Sequence, residues 1–192
     1  MPRLVLGSTS PYRRALLERL RTPFTAAAPG IDEERAKASG AAPRDVVEQL
    51  AREKALAVQQ RHHDAVVIGS DQGAVLDAEL LDKPGTAQNA GAQLRALRGR
   101  AHELVTAVAI AHPAGLVTFT DVTTLWMREL SDDEIDRYVQ SDQPLQCAGS
   151  YKIESLGVTL FDRIESGDHT AIVGLPLARL ARELRALGFA LP

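Results

Sequence analysis

Apolar and polar positions in the first hundred residues alternate between strand-like and helix-like runs. Leu4-Val5-Leu6-Gly7 reads as a short buried strand over residues 3–7, followed by a helix over 11–21 with Leu16, Leu17 and Leu20 on one face. Pro11 suits the first helical position, behind Ser10 as the cap. Residues 24–28 read as a second strand closed by Pro29-Gly30, and Asp32-Glu33-Glu34 falls on a loop or helix start. In a helix from 43 to about 61, Val46, Val47, Leu50, Ala51, Lys54 and Ala55 keep near-helical spacing, which sets Lys54 close to the buried side. Ala65-Val66-Val67-Ile68-Gly69 is unbroken apolar sequence, the pattern of a central strand covered on both faces, and it ends in Ser70-Asp71-Gln72.

Further along, Lys83-Pro84-Gly85 forms a turn and Thr86 caps a helix reaching about Leu97. Two β-rich stretches, 103–111 and 116–127, are joined by His112-Pro113-Ala114-Gly115 as a hairpin. Ser131-Asp132-Asp133-Glu134 is a capping box opening a helix to about Val139. After Cys147-Ala148-Gly149-Ser150-Tyr151 the chain is expected to return as strands, and residues 175–187 form an amphipathic helix closed by Gly188. Early alternation followed by a hairpin predicts a mixed α/β sheet flanked by helices. The 192 residues fit one domain, and with no repeat and no low-complexity linker any second lobe is made by a chain excursion.

Composition narrows the function classes. With 45% hydrophobic residues the chain can build a core, which excludes disorder. Its 22 basic and 25 acidic residues, a formal net charge of −3, argue against sequence-independent binding to a nucleic acid polymer. A single cysteine, Cys147, permits no intramolecular disulfide and fits a reducing compartment. The start of the chain lacks the pattern of a signal peptide, and no apolar run approaches a membrane span. The expectation is a soluble, cytoplasmic protein with no membrane partner.

Candidate chemistry begins at Ser8-Thr9-Ser10-Pro11-Tyr12-Arg13-Arg14, where hydroxyls, helix N-terminal amides and guanidinium forks share a small space. Phosphate oxygens use all three, although the same pattern also describes an ordinary cap and two solvated arginines. Asp71 closes a buried strand, where a carboxylate can bind a divalent ion, take a proton from water, or simply cap a turn. One of Asp32, Glu33 and Glu34 can complete a metal site with Asp71, or all three can be a solvated helix start. Lys54 and Lys83 are candidate phosphate ligands, Lys83 being fixed by the Pro84-Gly85 turn. The five histidines lack metal-ligand spacing, and Cys147 has no nucleophile context. No phosphate-binding Gly-rich loop and no Gly-x-Ser-x-Gly elbow occurs, so kinase and serine-hydrolase readings lack their parts.

In their order, these segments resemble the Maf family of nucleotide pyrophosphatases over nearly the whole chain. The landmarks are the Ser8–Arg14 segment, Asp32-Glu33, Glu53-Lys54-Ala55, Gly69-Ser70-Asp71-Gln72, Lys83-Pro84, Cys147-Ala148-Gly149-Ser150-Tyr151-Lys152 and Gly174-Leu175-Pro176-Leu177. The resemblance implies an elongated central sheet of the inosine-triphosphatase type, with an active-site cleft between two lobes. It also implies cleavage of a nucleoside triphosphate between its α- and β-phosphates, using a divalent cation such as Mg²⁺ or Mn²⁺. In that pattern Asp71 is the proton acceptor, Ser8, Ser10, Arg13, Arg14, Lys54 and Lys83 serve the phosphates, and Glu33 joins Asp71 in the polar, metal-binding part of the site. Asp82 departs from the family's usual glycine and adds a negative charge beside Lys83.

Three positions resemble the 7-methyl-GTP branch of that family: Tyr12 before the arginine pair, Gln72 after Asp71, and Glu154. A 7-methylguanine is a cation that presents N–H donors on its Watson–Crick edge. A buried carboxylate at Glu154 would meet both charge and donors, and Tyr12 can stack on the ring. Two other readings stand beside this one: a dTTP/UTP pyrophosphatase of the same family, and a non-enzymatic nucleotide-binding regulator of cell division. The β-rich middle leaves room for a homodimer.

Overall fold

Strands β1 (Arg3–Leu6) and β3 (Ala65–Leu76) run parallel, with Arg3 opposite Ala65 and Leu6 opposite Ile68. Their side chains alternate between two buried faces. Leu4, Leu6, Val66 and Ile68 enter one apolar cluster, while Val5, Ala65 and Val67 enter another. The computed structural model describes residues 2–192. The strand order is β2-β1-β3-β5-β6-β7, and a seventh strand, β4, pairs with β3. Strand β2 (Thr25–Ala26) lies parallel to β1, β4 (Glu79–Leu81) antiparallel to β3, and β7 (Phe161–Glu165) antiparallel to β6. The long strands β5 (Ala101–His112) and β6 (Gly115–Met127) flank the turn read from the sequence.

The chain divides into two compact units. The first comprises residues 1–71, 106–121 and 168–192. One apolar cluster in it joins Leu16 and Leu17 of helix α1 (Pro11–Glu18) to Leu177, Leu180 and Leu184 of the last helix, α6 (Leu177–Ala186). The short α2 (Glu33–Lys37) and the long α3 (Pro43–Gln59) also belong here. Helix α3 presses onto β3 at Gly69. A Cβ there would sit 2.4 Å from the Ala51 carbonyl and 2.5 Å from the Ala55 amide, so only glycine permits this approach. Gly69→Ala is expected to lower stability by about 2 kcal/mol or more through overpacking against rigid backbone. Urea denaturation with an unchanged m-value checks this, and an unaltered midpoint contradicts it.

The second unit, residues 72–105 and 122–167, contains α4 (Ala87–Leu97) and α5 (Asp132–Asp142). Ser131 and Glu134 form the expected capping box, and Arg95 and Arg98 of the α4 end both reach Asp132 at 3.0 Å. His102 packs among Tyr151 and Phe161. Its Nε2 lies 3.1 Å from the Tyr151 hydroxyl, and its buried Nδ1 has no hydrogen-bond partner among the described residues. Burial pushes the imidazole down from 6.5 to about 4. Because the unfolded chain then binds the extra proton, stability falls as pH drops from about 6.5 toward 4. The expected slope is up to about 1.4 kcal/mol per pH unit. Thermal melting across that window reads it, and His102→Gln should flatten the curve. A wild-type melting temperature independent of pH there would contradict the reading.

Beyond shifts of up to three residues at helix ends, as at Glu18 and Asp142, the elements depart from the sequence expectation at four places. Strand β3 does not stop before Asp71 but continues to Leu76, because Gly73, Ala74 and Leu76 supply further buried positions. Strand β2 is shorter than residues 24–28. After Cys147 the expected strands reduce to β7, preceded by 3₁₀ turns at Ala148–Ser150 and Leu156–Leu160. Gly149 and Ser150 there take positive φ, 71° and 64°, which a strand does not accommodate. The three-residue β4 was not foreseen, being too short to show a period. No helix among the described residues is long and apolar enough to cross a membrane.

Candidate active site

The ammonium of Lys54 lies 2.6 Å from Asp71 Oδ1 and 2.9 Å from Glu33 Oε1. Three elements of the first unit deliver these groups. Helix α3 brings Lys54 on its buried face, β3 brings Asp71, and Glu33 is the first residue of α2 behind its cap Asp32. Lys54 is only 5% exposed, as its helical register requires. The close approach at Gly69 is what lets the two backbones bring Lys54 and Asp71 together. Of the acidic triplet only Glu33 turns inward. Asp32 accepts from the Arg35 amide, and the exposed Glu34 pairs with Lys37, which also stands 4.0 Å from Glu33.

Arg13 is the second cation. Its Nε donates to the Gly174 carbonyl at 3.2 Å. Burial lowers the basicity of its guanidinium, and the charges of Asp71 and Glu33 oppose that effect. For Asp71, burial pushes the carboxyl above its ordinary range, Lys54 and Arg13 pull it back, and Glu33 pushes it up again. A carboxylate so balanced is suited to hold and release a proton. The hydroxyls of Ser8 and Ser10 serve the backbone: Ser8 Oγ accepts from the Ser10 amide, and Ser10 Oγ caps α1 at the Arg13 amide. Arg14 is directed away from this cluster, with Nε on Glu18 at 3.4 Å and its guanidinium 5.9 Å from the Phe24 ring. Tyr12, beside them on α1, is half-buried.

The other candidates lie in the second unit. Gln72 follows Asp71 on β3. Lys83 is exposed in a loop held through its neighbours, by Gln93 on the Asp82 carbonyl and Asn89 on the Pro84 carbonyl. Glu154 is exposed, which corrects the expectation of a buried carboxylate. The cause is local: it occupies a tight turn closed by Ser155 N–H on the Lys152 carbonyl. That turn is nonetheless well anchored. The Lys152 amide donates to the Tyr138 hydroxyl at 2.9 Å, and Ser155 Oγ donates to Asp142 at 2.7 Å. Cys147 is half-buried and in no disulfide.

Among the described residues no three His, Cys, Asp or Glu side chains are placed to hold a metal ion. Two carboxylates do converge, however, since Glu33 and Asp71 both touch one cation, the Lys54 ammonium. A pair of carboxylates completed by water and phosphate oxygens is the usual protein share of a Mg²⁺ site, so the residues present fit such an ion. Sequence reasoning missed the carbonyl of Gly174, which accepts from Ser70 Oγ at 3.0 Å as well as from Arg13. The only available signal was the Gly174-Leu175-Pro176 motif itself.

The model of the family described as "Maf-like protein" matches residues 3–187. Two relatives named 7-methyl-GTP pyrophosphatase are similar end to end. The protein of Xanthomonas oryzae pv. oryzae is 50% identical over all of both chains. That of Aromatoleum aromaticum is 51% identical over 99% of this chain and 98% of its own. The solved structure of the Staphylococcus aureus Ham1 protein shares the fold at 15% identity and a TM-score of 0.53, covering 96% of this chain and 99% of that one. Together with the ordered landmarks from Ser8 to Leu177, these matches settle the classification: the chain belongs to the Maf family.

Proposed function

We propose that this protein hydrolyses 7-methyl-GTP to 7-methyl-GMP and pyrophosphate. The observation that carries the chemistry is the buried Asp71–Lys54–Glu33 cluster with Arg13 beside it. The names of relatives of about 50% identity over the full length support the choice of base. Attack of water on a polyanion is electrostatically opposed, so the site must neutralise charge and activate the water together. Asp71 takes the proton of the attacking water. Arg13, Lys54 and Lys83 bind phosphate oxygens, Arg13 through the N–H groups its Gly174 bond leaves over. Glu33 and Asp71 would hold a divalent cation, Mg²⁺ or Mn²⁺, which would supply further neutralisation of phosphate charge. Tyr12 stacks on the cationic base, Glu154 accepts from its N–H edge, and Gln72 contributes to base choice.

The test is pyrophosphate release from a panel of 7-methyl-GTP, GTP, dTTP and UTP, each with Mg²⁺ or Mn²⁺. A highest kcat/KM for 7-methyl-GTP is the expected result. Preference for dTTP or UTP would overturn the base assignment, and absence of pyrophosphate from every nucleotide would overturn hydrolysis. Glu154→Gln should lower 7-methyl-GTP turnover about tenfold, near the lower end of the range for bonds to a charged group because Glu154 is exposed. It should spare dTTP and UTP. Equal losses on purine and pyrimidine substrates would remove Glu154 from base recognition.

A further inference from the structure

One backbone oxygen links two parts of the site that are far apart in sequence. The Gly174 carbonyl accepts from Arg13 Nε and from Ser70 Oγ, the residue before Asp71. Both of its lone-pair directions are therefore used. Ser70 is fully buried, so this bond is its hydroxyl's escape from an unsatisfied position. With Nε committed, the plane of the Arg13 guanidinium is fixed, and its terminal nitrogens remain for anions.

The carbonyl is held in place by a closed network. Gly174 ends a 3₁₀ turn, Ala171–Val173, at φ 124°, and its amide donates to the Ala171 carbonyl at 2.9 Å. The same carbonyl accepts from Thr106 Oγ1 at 3.1 Å. Upstream, Asp168 Oδ1 accepts from both the amide and the hydroxyl of Thr170, at 2.9 and 2.6 Å. Downstream, the first amides of α6 have no cap from Pro176. They go instead to the clasp, Leu177 N–H to Thr170 Oγ1 at 2.8 Å and Ala178 N–H to Asp168 Oδ2 at 2.7 Å. Residues 168–178 thus form a loop stitched at its base, with Gly174 between the stitches. Thr170, Ala171 and Leu175 are buried, so the loop is part of the core rather than a surface strap.

We propose that this Asp168–Thr170 clasp is a positioning element of the active site: it sets the Gly174 carbonyl, which orients Arg13 toward the phosphates and Ser70 beside Asp71. The proposal rests on the pyrophosphatase reading and adds Asp168, Thr170, Gly174 and Ser70 as residues acting through Arg13 and Asp71. A Cβ at position 174 would stand 3.2 Å from Arg13 Nε and 3.3 Å from its Cγ, so even a methyl group there intrudes on the orienting contact.

A double-mutant cycle separates positioning from simple stability. Thr170→Val keeps the side-chain shape and removes the hydroxyl. In the wild-type background it is expected to lower kcat/KM about tenfold and to weaken binding of inorganic pyrophosphate by a similar factor. In an Arg13→Ala background the same change should cost less than twofold in pyrophosphate binding, and its cost in kcat/KM should shrink to the part carried through Ser70 and Asp71. Equal losses of pyrophosphate affinity in the two backgrounds would overturn the proposal and reduce the clasp to a fold support. Should Thr170→Val fail to fold, Gly174→Ala run through the same cycle against Arg13→Ala gives the same decision. Pyrophosphate affinity is read by calorimetry without turnover. If no triphosphate is cleaved, the hydrolysis reading falls, while coupling in pyrophosphate binding still judges the clasp.

Discussion

Replacing Asp71 by asparagine is expected to reduce kcat for triphosphate hydrolysis about 100-fold or more, the scale of a positioned general base, in a protein at least as stable as the wild type. The two halves of that result have one cause. Burial pushes the Asp71 carboxyl up, against the opposing pull of Lys54 and Arg13. A carboxyl whose folded value lies above its unfolded one loses stability as pH rises through that interval, because the folded state then binds the extra proton. At neutral pH the ionised Asp71 therefore opposes folding, and Asn removes the charge at constant size. Lys54 keeps Glu33 as a partner at 2.9 Å, so no uncompensated ammonium is left behind. Thermal melting and single-turnover pyrophosphate release check the two halves. Near-wild-type turnover would remove Asp71 as the base, and a large fall in melting temperature would show that its charge supports the fold.

The stable variant with a lost activity is also where sequence reading reached furthest. Residues such as Lys54 are legible because a helix period states which side is buried, and a lysine on that side demands a counter-charge. The run 65–69 likewise announced a strand buried on two faces, with a carboxylate beyond it. What the period did not carry was the continuation of β3 through Asp71, since Ser70, Asp71 and Gln72 are polar in a strand whose partners are provided by the fold. The 3₁₀ turns between Ala148 and Leu160 were illegible for a related reason: they are held by specific bonds such as Lys152 N–H to Tyr138 rather than by repeating apolar positions. The Gly174 carbonyl was the hardest to see. Its partners are 104 and 161 residues away, and a main-chain oxygen has no residue type to reveal it.

Lys54→Met is expected to have the other large effect, a loss of about 3 kcal/mol in stability together with a uniform fall in turnover on every nucleotide. Methionine fills the space of the lysine stem, so the loss comes from charge and not from a cavity. Removing one member of a buried ion pair costs about 3–5 kcal/mol, and the one-third exposure of Glu33 favours the lower figure. Without the ammonium, Asp71 loses its nearest cation and keeps Arg13, while Glu33 keeps Lys37 at 4.0 Å, and the Asp71 carboxyl rises further. The acid limb of the rate profile should then move to higher pH, because less of Asp71 is ionised at any given pH. Substrates differing only in the base should suffer equally, since Lys54 pairs with carboxylates and its proposed ligand is a phosphate, not a base. The double variant Lys54→Met with Asp71→Asn supplies the control. With the buried Asp71 carboxylate neutralised it should melt higher than Lys54→Met alone, although it is the less active of the two. A gain over Lys54→Met no larger than the gain of Asp71→Asn over the wild type, or a change of base preference in the single variant, would show that Lys54 does something other than neutralise this acidic centre.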